Sequence, residues 1–347
     1  MPAALEGERV DRGVALLAGL SRAQASVLVE EGRVRISGAA VPAGSRRLRS
    51  GELLEVDLAG NSPLETVPPA TEPTAKGPVL EATVVFADKD LVVVDKPAGL
   101  VVHPGAGNPQ GTLVQQLVGL FPEISAVGPE DERPGIVQRL DKGTSGLMVV
   151  ARTPAAREGL VAQLAARSVE RVYLAVVHGE LEADEGTVDA PLGRSQSHRV
   201  KMAVVQGGRH ALTHYRAEGR SSLLLPVTLV SCRLGTGRTH QVRVHFAAIG
   251  HPVLCDDRYS KPTQLAAART ALPGLRRPWL HAARLGFTHP VTGEPMQFSS
   301  GLPPDLAETL GPLGLTLRQE PQVPSASQVP SASQVAVPPV APVAPVS

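Results

Sequence analysis

One aspartate has neighbours that could support chemistry. Asp141 lies in the segment G-I-V-Q-R-L-D-K-G-T-S-G-L, between an apolar strand-like stretch and a glycine-containing turn. Arg139 and Lys142 stand close to it in the chain, and positive neighbours stabilise the ionised form of a carboxyl group. An ionised carboxylate suits a nucleophile or a base better than a general acid. Asp before Lys-Gly is also an ordinary turn residue, so this segment alone leaves both interpretations open.

An arginine in a second segment could pair with that carboxylate. T-G-R-T-H-Q-V-R-V-H-F has a period of two, which predicts a strand with Gln241, Arg243 and His245 on a solvent-exposed face. The opposite, packed face would carry His240, Val242, Val244 and Phe246. Such a polar face is often plain solvent exposure, but an arginine beside a cleft can pair with a carboxylate and orient it. Arg243 is therefore the predicted partner of Asp141.

A tyrosine is the third candidate. Tyr173 alternates with Val172 and Leu174 in R-V-Y-L-A-V-V, so its ring should leave the sheet on the face opposite those two side chains. The chain has only 3 tyrosines, which makes this one conspicuous. The commoner outcome for an isolated case is a core tyrosine whose hydroxyl is hydrogen-bonded.

Other kinds of site have weaker support. Cys232 and Cys255 are far apart in the chain and form no zinc-type spacing or disulfide framework. A nucleoside or glycoside hydrolase needs two carboxylates flanking the scissile bond. The nearest second candidates, Asp256 and Asp257 in L-C-D-D-R-Y, are explained adequately by a turn. Charged residues replace the apolar run of a signal peptide, and no stretch could span a bilayer, so the prediction is a cytoplasmic protein without membrane association.

Charge is distributed unevenly along the chain. The net charge is only +1, which by itself argues against a nucleic-acid partner. Between residues 194 and 243, however, Glu218 is the one acid among nine basic residues: Arg194, Arg199, Lys201, Arg209, Arg216, Arg220, Arg233, Arg238 and Arg243. Charge runs are usually solvated surfaces. The presence of the Arg243 segment within this run favours a basic face that binds RNA.

The elements that would position these residues fall into four parts. Residues 1–60 predict a small domain of two helices followed by two strands, V-R-I-S-G and E-L-L-E-V-D-L. Residues 61–78 are rich in Pro, Thr, Glu and Ser and predict a flexible linker. Residues 79–305 alternate strand-like runs with helical pieces such as 154–167, which predicts a mixed α/β domain with a large sheet. Residues 306–347 end in Val-Pro-Ala low complexity and predict a disordered tail.

The small domain resembles the S4 RNA-binding domain. The pattern S-R-x-x-A/x-x-L-x-x-x-G-x-V-x-I/V-x-G of that domain is matched by S-R-A-Q-A-S-V-L-V-E-E-G-R-V-R-I-S-G, beginning at Ser21. Arginines scattered through this domain could form one basic face, although acids balance them over the segment as a whole. A generic helical adaptor is the alternative.

Residues 79–305 resemble the large-subunit type of RNA pseudouridine synthases. The resemblance rests on several motifs in one order: V-V-D-K-P-A-G-L-V-V-H-P, the three segments above, G-H-P-V-L-C-D-D-R-Y and L-H-A-A-R-L-G-F-T-H-P. It implies a mixed α/β (α+β) fold around a central, largely antiparallel sheet, preceded here by the S4-like domain. It also implies a site that uses no metal and no cofactor.

The resemblance implies roles for individual residues. Asp141 matches the essential aspartate of the family, Tyr173 its active-site tyrosine and Arg243 its carboxylate-pairing arginine. Arg139 matches a residue that helps displace the target base. Gln138 and Gly143 depart from the pattern, because the family commonly has His and an acid at these places, and the departures bear on substrate fit more than on catalysis.

The sequence therefore predicts an enzyme that isomerises specific uridines in structured RNA. Large-subunit ribosomal RNA is the expected partner, and a monomer is the default state. Candidate RNA contacts are Arg139, Arg22, Arg33, Arg46, Arg47, Arg199, Lys201 and Arg238. The alternative is a ribosome assembly factor that binds RNA without chemistry, against which the joint presence of Asp141, Tyr173 and Arg243 speaks.

Overall fold

The computed structural model describes residues 5–18, 22–41, 44, 46–49, 51–57, 80–105, 108–128, 133–195 and 201–317. The chain forms two compact units, Met1–Lys76 and Gly77–Ser347. The predicted linker and the part of the predicted tail after residue 317 lie outside the described residues. No helix in the described ranges is long and apolar enough to cross a membrane.

The small unit contains the predicted helices and strands. Its helices are α1 (Val10–Ala18) and α2 (Arg22–Glu30), and its strands are β1 (Val34–Ile36), β2 (Ala39–Ala40) and β3 (Leu54–Val56). The central strand β1 pairs antiparallel with both others, so the two predicted strands, in V-R-I-S-G and E-L-L-E-V-D-L, lie side by side. Alternate residues of β1 point inward, where Val34 and Ile36 pack against the helices in one apolar core.

A mixed sheet of nine strands forms the centre of the large unit. Its strands are β4 (Thr83–Ala87), β5 (Leu91–Lys96), β6 (Ser145–Ala151), β7 (Glu170–His178), β8 (Glu185–Asp189), β11 (Leu212–Ser221), β12 (Val227–Leu234), β13 (Leu280–Thr288) and β14 (Pro295–Ser299). The order is β4-β5-β6-β13-β7-β12-β11-β8, with β14 beside β13. Every pair is antiparallel except β6 with β13, which confirms the mixed α/β fold with a largely antiparallel sheet.

Helices and a small second sheet flank this large sheet. The helices are α3 (Leu113–Leu120), α4 (Pro154–Ala165), α5 (Gln241–Ala248), α6 (Pro262–Ala271) and α7 (Pro304–Leu310). Strands β9 (Leu192–Arg194) and β10 (Met202–Val204) form an antiparallel pair. The helix predicted at 154–167 is α4, and its N-cap Thr153 accepts a hydrogen bond from the Ala156 N–H. In the strand-like run L-L-L-P-V-T-L-V, the strand begins only at Val227, directly after Pro226.

The strand prediction for residues 240–246 is wrong, because this segment begins helix α5. Its polar and apolar positions alternate, but all of Gln241–Phe246 is buried. The polar side chains are satisfied inside the protein: Gln241 donates to the Leu212 carbonyl, and His245 contacts Thr213 Oγ1 and the Ala190 carbonyl. The alternation of polar and apolar residues therefore does not separate a solvent-exposed face from a packed face. Polar and apolar side chains alike are buried, each with partners inside the protein.

The prediction of a tail from residue 306 is wrong for residues 306–317. Leu306, Leu310, Leu313 and Leu315 are buried in one core with Trp279, and the Trp279 indole N–H donates to Thr309 Oγ1 at 2.7 Å. These leucines recur every two to four residues, so they give α7 and the following turn an apolar face. The packed domain extends to residue 317 at least.

Candidate active site

Asp141 lies in the loop that leads into strand β6. Its carbonyl accepts a hydrogen bond from the Thr144 N–H at 3.0 Å, which closes the turn, and 15% of its side chain is exposed. Gly146 follows in β6 with φ +113°, and a Cβ there would lie 2.2 Å from the Ala282 carbonyl oxygen of β13. Only glycine allows this close approach of β6 to β13. The approach fixes the end of the loop that carries Asp141.

Arg243 connects Asp141 to a second carboxylate. Its Nη1 donates to Asp141 Oδ2 at 3.1 Å, while Nε and Nη2 donate to Asp256 Oδ2 and Oδ1 at 2.6 and 2.8 Å. Burial alone would lower the pKa of Arg243, but the hydrogen bonds and charge of Asp256, and then those of Asp141, raise it above its ordinary value. The guanidinium is thus a positive group, oriented by Asp256, that forms an ion pair with Asp141.

Asp256 is the member of this chain of contacts that the sequence reasoning missed. It is fully buried, and its Oδ1 also accepts the backbone N–H groups of Arg258 and Tyr259 at 2.9 and 3.2 Å. The turn explanation was correct for its backbone contacts and incomplete for its bidentate pair with Arg243. The available signal was its position in L-C-D-D-R-Y, one of the segments of the family resemblance.

His240 and Tyr259 close the other side of the carboxylate. His240 Nε2 lies 3.8 Å from Asp141 Oδ1, and its Nδ1 lies 2.6 Å from the Tyr259 hydroxyl. Burial lowers the pKa of His240, although the charge of Asp141 acts in the opposite direction, so the imidazole is neutral at neutral pH. The Arg243 guanidinium lies 5.2 Å from the centre of the Tyr259 ring, a cation–π distance.

Two residues of the site have backbones in the left-handed region. His240, directly before α5, has φ +57°, and Cys255, directly before Asp256, has φ +59°. Non-glycine residues rarely adopt this conformation, and where they do the surrounding structure must hold them. His240 is three residues before Arg243, and Cys255 is directly before Asp256. Backbone strain is therefore concentrated beside the two residues of the buried ion pair.

Tyr173 shares a cavity with Asp141. It lies on β7 with its side chain half-buried, and burial raises its pKa to about 12, against the opposing charge of Arg171 and with a smaller contribution from Asp141. The phenol therefore keeps its proton at neutral pH and can donate a hydrogen bond.

Asp141 and Arg139 lie where cavities meet. One cavity of about 560 Å³ contains Tyr173 and the 235–239 loop, and another of about 500 Å³ contains His103 and Arg277. A smaller space of about 40 Å³, lined by Tyr173, Asp141 and Arg243, shares lining residues with both. The arginines and lysine lining these spaces are Arg139, Lys142, Arg167, Arg171, Arg238, Arg243, Arg258, Arg276 and Arg277. This cleft can receive a planar group at Asp141 and a polyanion along its sides.

A buried lysine stabilises the turn that contacts the Asp141 loop. Lys96 is fully buried at the end of β5, and its Nζ donates to the Pro97 and Leu100 carbonyls at 2.9 Å each. Burial lowers its pKa to about 7, against the opposing attraction of Asp141. The turn that it holds donates the Gly99 N–H to the Lys142 carbonyl at 2.6 Å, so Lys96 acts on the residue next to Asp141.

The predicted RNA-contacting residues of the large unit have different environments. Arg139 is exposed at the junction of the cavities. Arg238 also lines them and donates its Nε to the His210 carbonyl at 3.1 Å. Lys201 is partly exposed, and Arg199 lies outside the described residues. The basic run from 194 to 243 is not one surface, because Arg243 is buried in its ion pairs.

The predicted RNA-contacting arginines of the small unit mostly have local partners. Arg33 lies within ion-pair distance of Glu31 and Asp57, and Arg46 pairs with Glu52 at 2.7 Å. Exposed Arg47 donates to the Gly7 carbonyl. Arg22 begins α2, and its side chain is not among the described ones. Binding by these residues stays a prediction.

One cluster in the described part of the chain has the composition of a metal site. Ligand atoms of Asp88, Asp90 and His289 lie within 4.8 Å of one another. However, His289 Nδ1 accepts the N–H groups of Val291 and Thr292, so its proton is on Nε2, which donates to Asp88 Oδ2 at 2.9 Å. The lone pair that a metal needs is thus absent from Nε2. The cluster is best explained as a hydrogen-bonded anchor between two loops.

Comparison with known proteins gives a consistent result. Residues 90–248 match the family model described as RNA pseudouridylate synthase. The chain is 43% identical over 320 residues to a ribosomal large subunit pseudouridine synthase D of Xanthomonas campestris pv. campestris, covering 90% of this chain and 91% of the relative. It is 42% identical to an uncharacterized RNA pseudouridine synthase of Mycobacterium bovis, covering 89% of this chain and 96% of the relative.

A solved structure agrees with these sequence matches. The human RNA Pseudouridylate Synthase Domain Containing 1 protein superposes with a TM-score of 0.52 at 28% identity, over 68% of this chain and 89% of that chain. The matched family segment contains Asp141, Tyr173 and Arg243 and ends before Asp256.

Proposed function

The chain belongs to the RNA pseudouridylate synthase family, and we propose that Asp141 is the carboxylate with which it isomerises uridine in RNA. The observation that supports this role best is the contact of Asp141 with Arg243, which Asp256 in turn fixes. A turn aspartate without a function would not need a buried arginine oriented by a second buried carboxylate.

The reaction defines what the site must do. The bond between N1 of uracil and C1′ of ribose breaks, the base rotates, and C5 bonds to C1′ while the hydrogen of C5 is lost and N1 gains one. The Asp141 carboxylate can assist either by forming an adduct that later breaks or by stabilising the charge that develops. Arg243 holds the carboxylate in place in the cleft in both cases.

Tyr173 and Arg139 have proposed roles beside the carboxylate. Tyr173 would stack on the uracil and donate its hydroxyl proton in a hydrogen bond, since the raised pKa keeps the phenol protonated. The target base must leave its helix to reach Asp141, which costs a few kcal/mol. Arg139, exposed at the mouth of the cleft, would fill the space that the base leaves.

We propose large-subunit ribosomal RNA as the substrate. The support is the printed name of relatives such as the one from Xanthomonas campestris pv. campestris, together with the basic lining of the cleft. The small unit would also bind RNA, as its S4-like pattern predicts. A cytoplasmic location and a monomeric state stay predictions.

The test is chemical mapping of pseudouridine in large-subunit ribosomal RNA incubated with wild type, Asp141→Asn and Asp184→Asn. Asp184 is a matched control because it is an aspartate in the same unit with 83% of its side chain exposed. We expect product with wild type and the control and none with Asp141→Asn. Product from Asp141→Asn would remove the catalytic role, and RNA binding without product from wild type would favour the assembly-factor alternative.

A further inference from the structure

Arg171 is a buried arginine without a partner in the described structure. It lies on β7, two residues before Tyr173 on the same face, and is only 7% exposed. Its Nε is buried and unbonded, and its guanidinium has no hydrogen bond or ion pair with any described residue. A buried cation that is left uncompensated is strongly unfavourable, so such a group usually has a partner.

The cavity that Arg171 lines also lacks negative charge. It contains Arg139, Arg167, Arg171 and Arg238, and its one carboxylate is Asp141, which already rests against Arg243. Burial lowers the pKa of Arg171, against the opposing attraction of the Tyr173 phenol, and the other described cations of the cavity do not relieve that cost. Among the described residues, no anion or acceptor fills this role, and a bound polyanion would supply one.

The 235–239 loop is shaped around this guanidinium. A Cβ at Gly237 would lie 2.6 Å from Arg171 Nη1, so the absence of a side chain at this position makes room for the arginine head group. Gly235, Thr236, Arg238 and Thr239 of the same loop line the cavity. The arginine thus lies beneath a loop that borders the cleft.

We propose that Arg171 binds the phosphodiester next to the target uridine in the RNA strand. This inference rests on the proposed function, because it takes RNA as the molecule that enters the cleft. A guanidinium matches phosphate oxygens with two parallel hydrogen bonds, and RNA supplies one negative charge per nucleotide. Asp141, Tyr173 and Arg171 all line one cavity. Arg171 would therefore hold the RNA strand at the phosphate between the displaced uridine and the adjacent nucleotide.

The experiment combines an enzyme variant with a neutral phosphate. Fragments of large-subunit ribosomal RNA that wild type modifies are made with a methylphosphonate at each linkage around the modified uridine, and the dissociation constant is measured for each. We expect wild type to lose about 10- to 100-fold in affinity at one linkage beside the uridine, as for a lost charged hydrogen bond. Arg171→Met should bind the unmodified fragment more weakly than wild type by the same factor. A methylphosphonate at that linkage should then reduce the affinity of Arg171→Met only slightly further.

Salt dependence gives an independent measurement. The slope of log affinity against log salt should become shallower by about 0.7 to 0.9 in Arg171→Met, which corresponds to one phosphate contact. Arg233→Met is the matched control, because Arg233 lies on the neighbouring strand, also has a buried unbonded Nε, and lines none of the described cavities. Its slope should equal that of wild type.

The outcomes separate this inference from the proposed function. If Arg171→Met retains the wild-type slope and the full methylphosphonate effect, Arg171 does not bind phosphate, whether or not pseudouridine is formed. Absence of any sensitive linkage in wild type would overturn the inference equally. If Arg171→Met does not fold, Arg171→Lys takes its place. Lysine keeps the positive charge but cannot make two parallel hydrogen bonds to a phosphate, so the methylphosphonate at the same linkage should reduce affinity less than in wild type. Pseudouridine formation by wild type on the unmodified fragment tests the proposed function separately.

Discussion

The dependence of Arg243 on Asp256 gives a quantitative prediction. Asp256→Asn keeps the shape of the side chain but removes the charge that faces Arg243 across two hydrogen bonds of 2.6 and 2.8 Å. Asp256 is fully buried and the Arg243 side chain is 8% exposed, so water cannot compensate. Removing one partner of such a buried pair costs about 3 to 5 kcal/mol of the free energy of unfolding. For a domain of this size that loss lowers the melting temperature by roughly 6 to 20 °C.

The same substitution should slow catalysis. An arginine released from Asp256 can reorient toward Asp141, so the carboxylate loses its fixed position, and misplacement by about 1 Å can cost about 100-fold in rate. We expect the turnover number to fall more than the Michaelis constant changes, in steady-state measurements below the lowered melting temperature.

Asp257→Asn is the matched control for stability, since Asp257 is the exposed neighbour of Asp256 in the chain. Its melting temperature, followed by circular dichroism, should equal that of wild type. If Asp256→Asn melts and turns over like wild type, the bidentate pair does not orient Arg243, and the explanation given for the Asp141 contact is wrong.

Three further predictions concern Tyr173, Lys96 and the small unit. Tyr173→Phe removes a hydroxyl that stays protonated at neutral pH, so the turnover number should fall while RNA affinity changes little. An unchanged turnover number would show that the hydroxyl has no role in the reaction. Lys96 has a folded-state pKa of about 7, below the ordinary value of 10.5, so the unfolded chain binds more protons between these values and stability rises with pH there. Denaturant titrations from pH 7 to 9 should therefore show wild type gaining up to about 1.4 kcal/mol per pH unit over Lys96→Met, and parallel curves would refute this. Deletion of residues 1–60 should weaken RNA affinity more than it slows turnover at saturating RNA, and equal affinities in a binding titration would count against an S4-like role.

The sequence was most informative where several residues of one motif occur together. Asp141, Arg139 and Tyr173 could be selected because their segments occur in one order, and the structure places all three around the same cavity. The expected contact of Arg243 with Asp141 is present at 3.1 Å. The strand-rich pattern also predicted a mixed α/β domain with a large sheet, because its apolar runs are bounded by turn residues, and the family resemblance implied that the sheet is largely antiparallel.

The sequence failed where polar residues are buried with distant partners. Gln241, Arg243 and His245 have the spacing of a solvent-exposed strand face, but their partners on β11, at Ala190, at Asp141 and at Asp256 make a buried helix possible. Asp256 was taken for a turn residue, since a bidentate contact 13 positions away has no local signature. Arg171 was not selected at all, because a missing partner can be recognised only once the surroundings of a side chain are known.

The central claim is that Asp141 performs the isomerisation, and release of hydrogen from C5 measures it most directly. Large-subunit ribosomal RNA transcribed with uridine tritiated at C5 must lose tritium to water when C5 bonds to C1′. We expect wild type to release tritium in proportion to the pseudouridine formed. Asp141→Asn should bind the same RNA with nearly unchanged affinity and release none. Tritium release by Asp141→Asn at a rate near that of wild type would contradict the account.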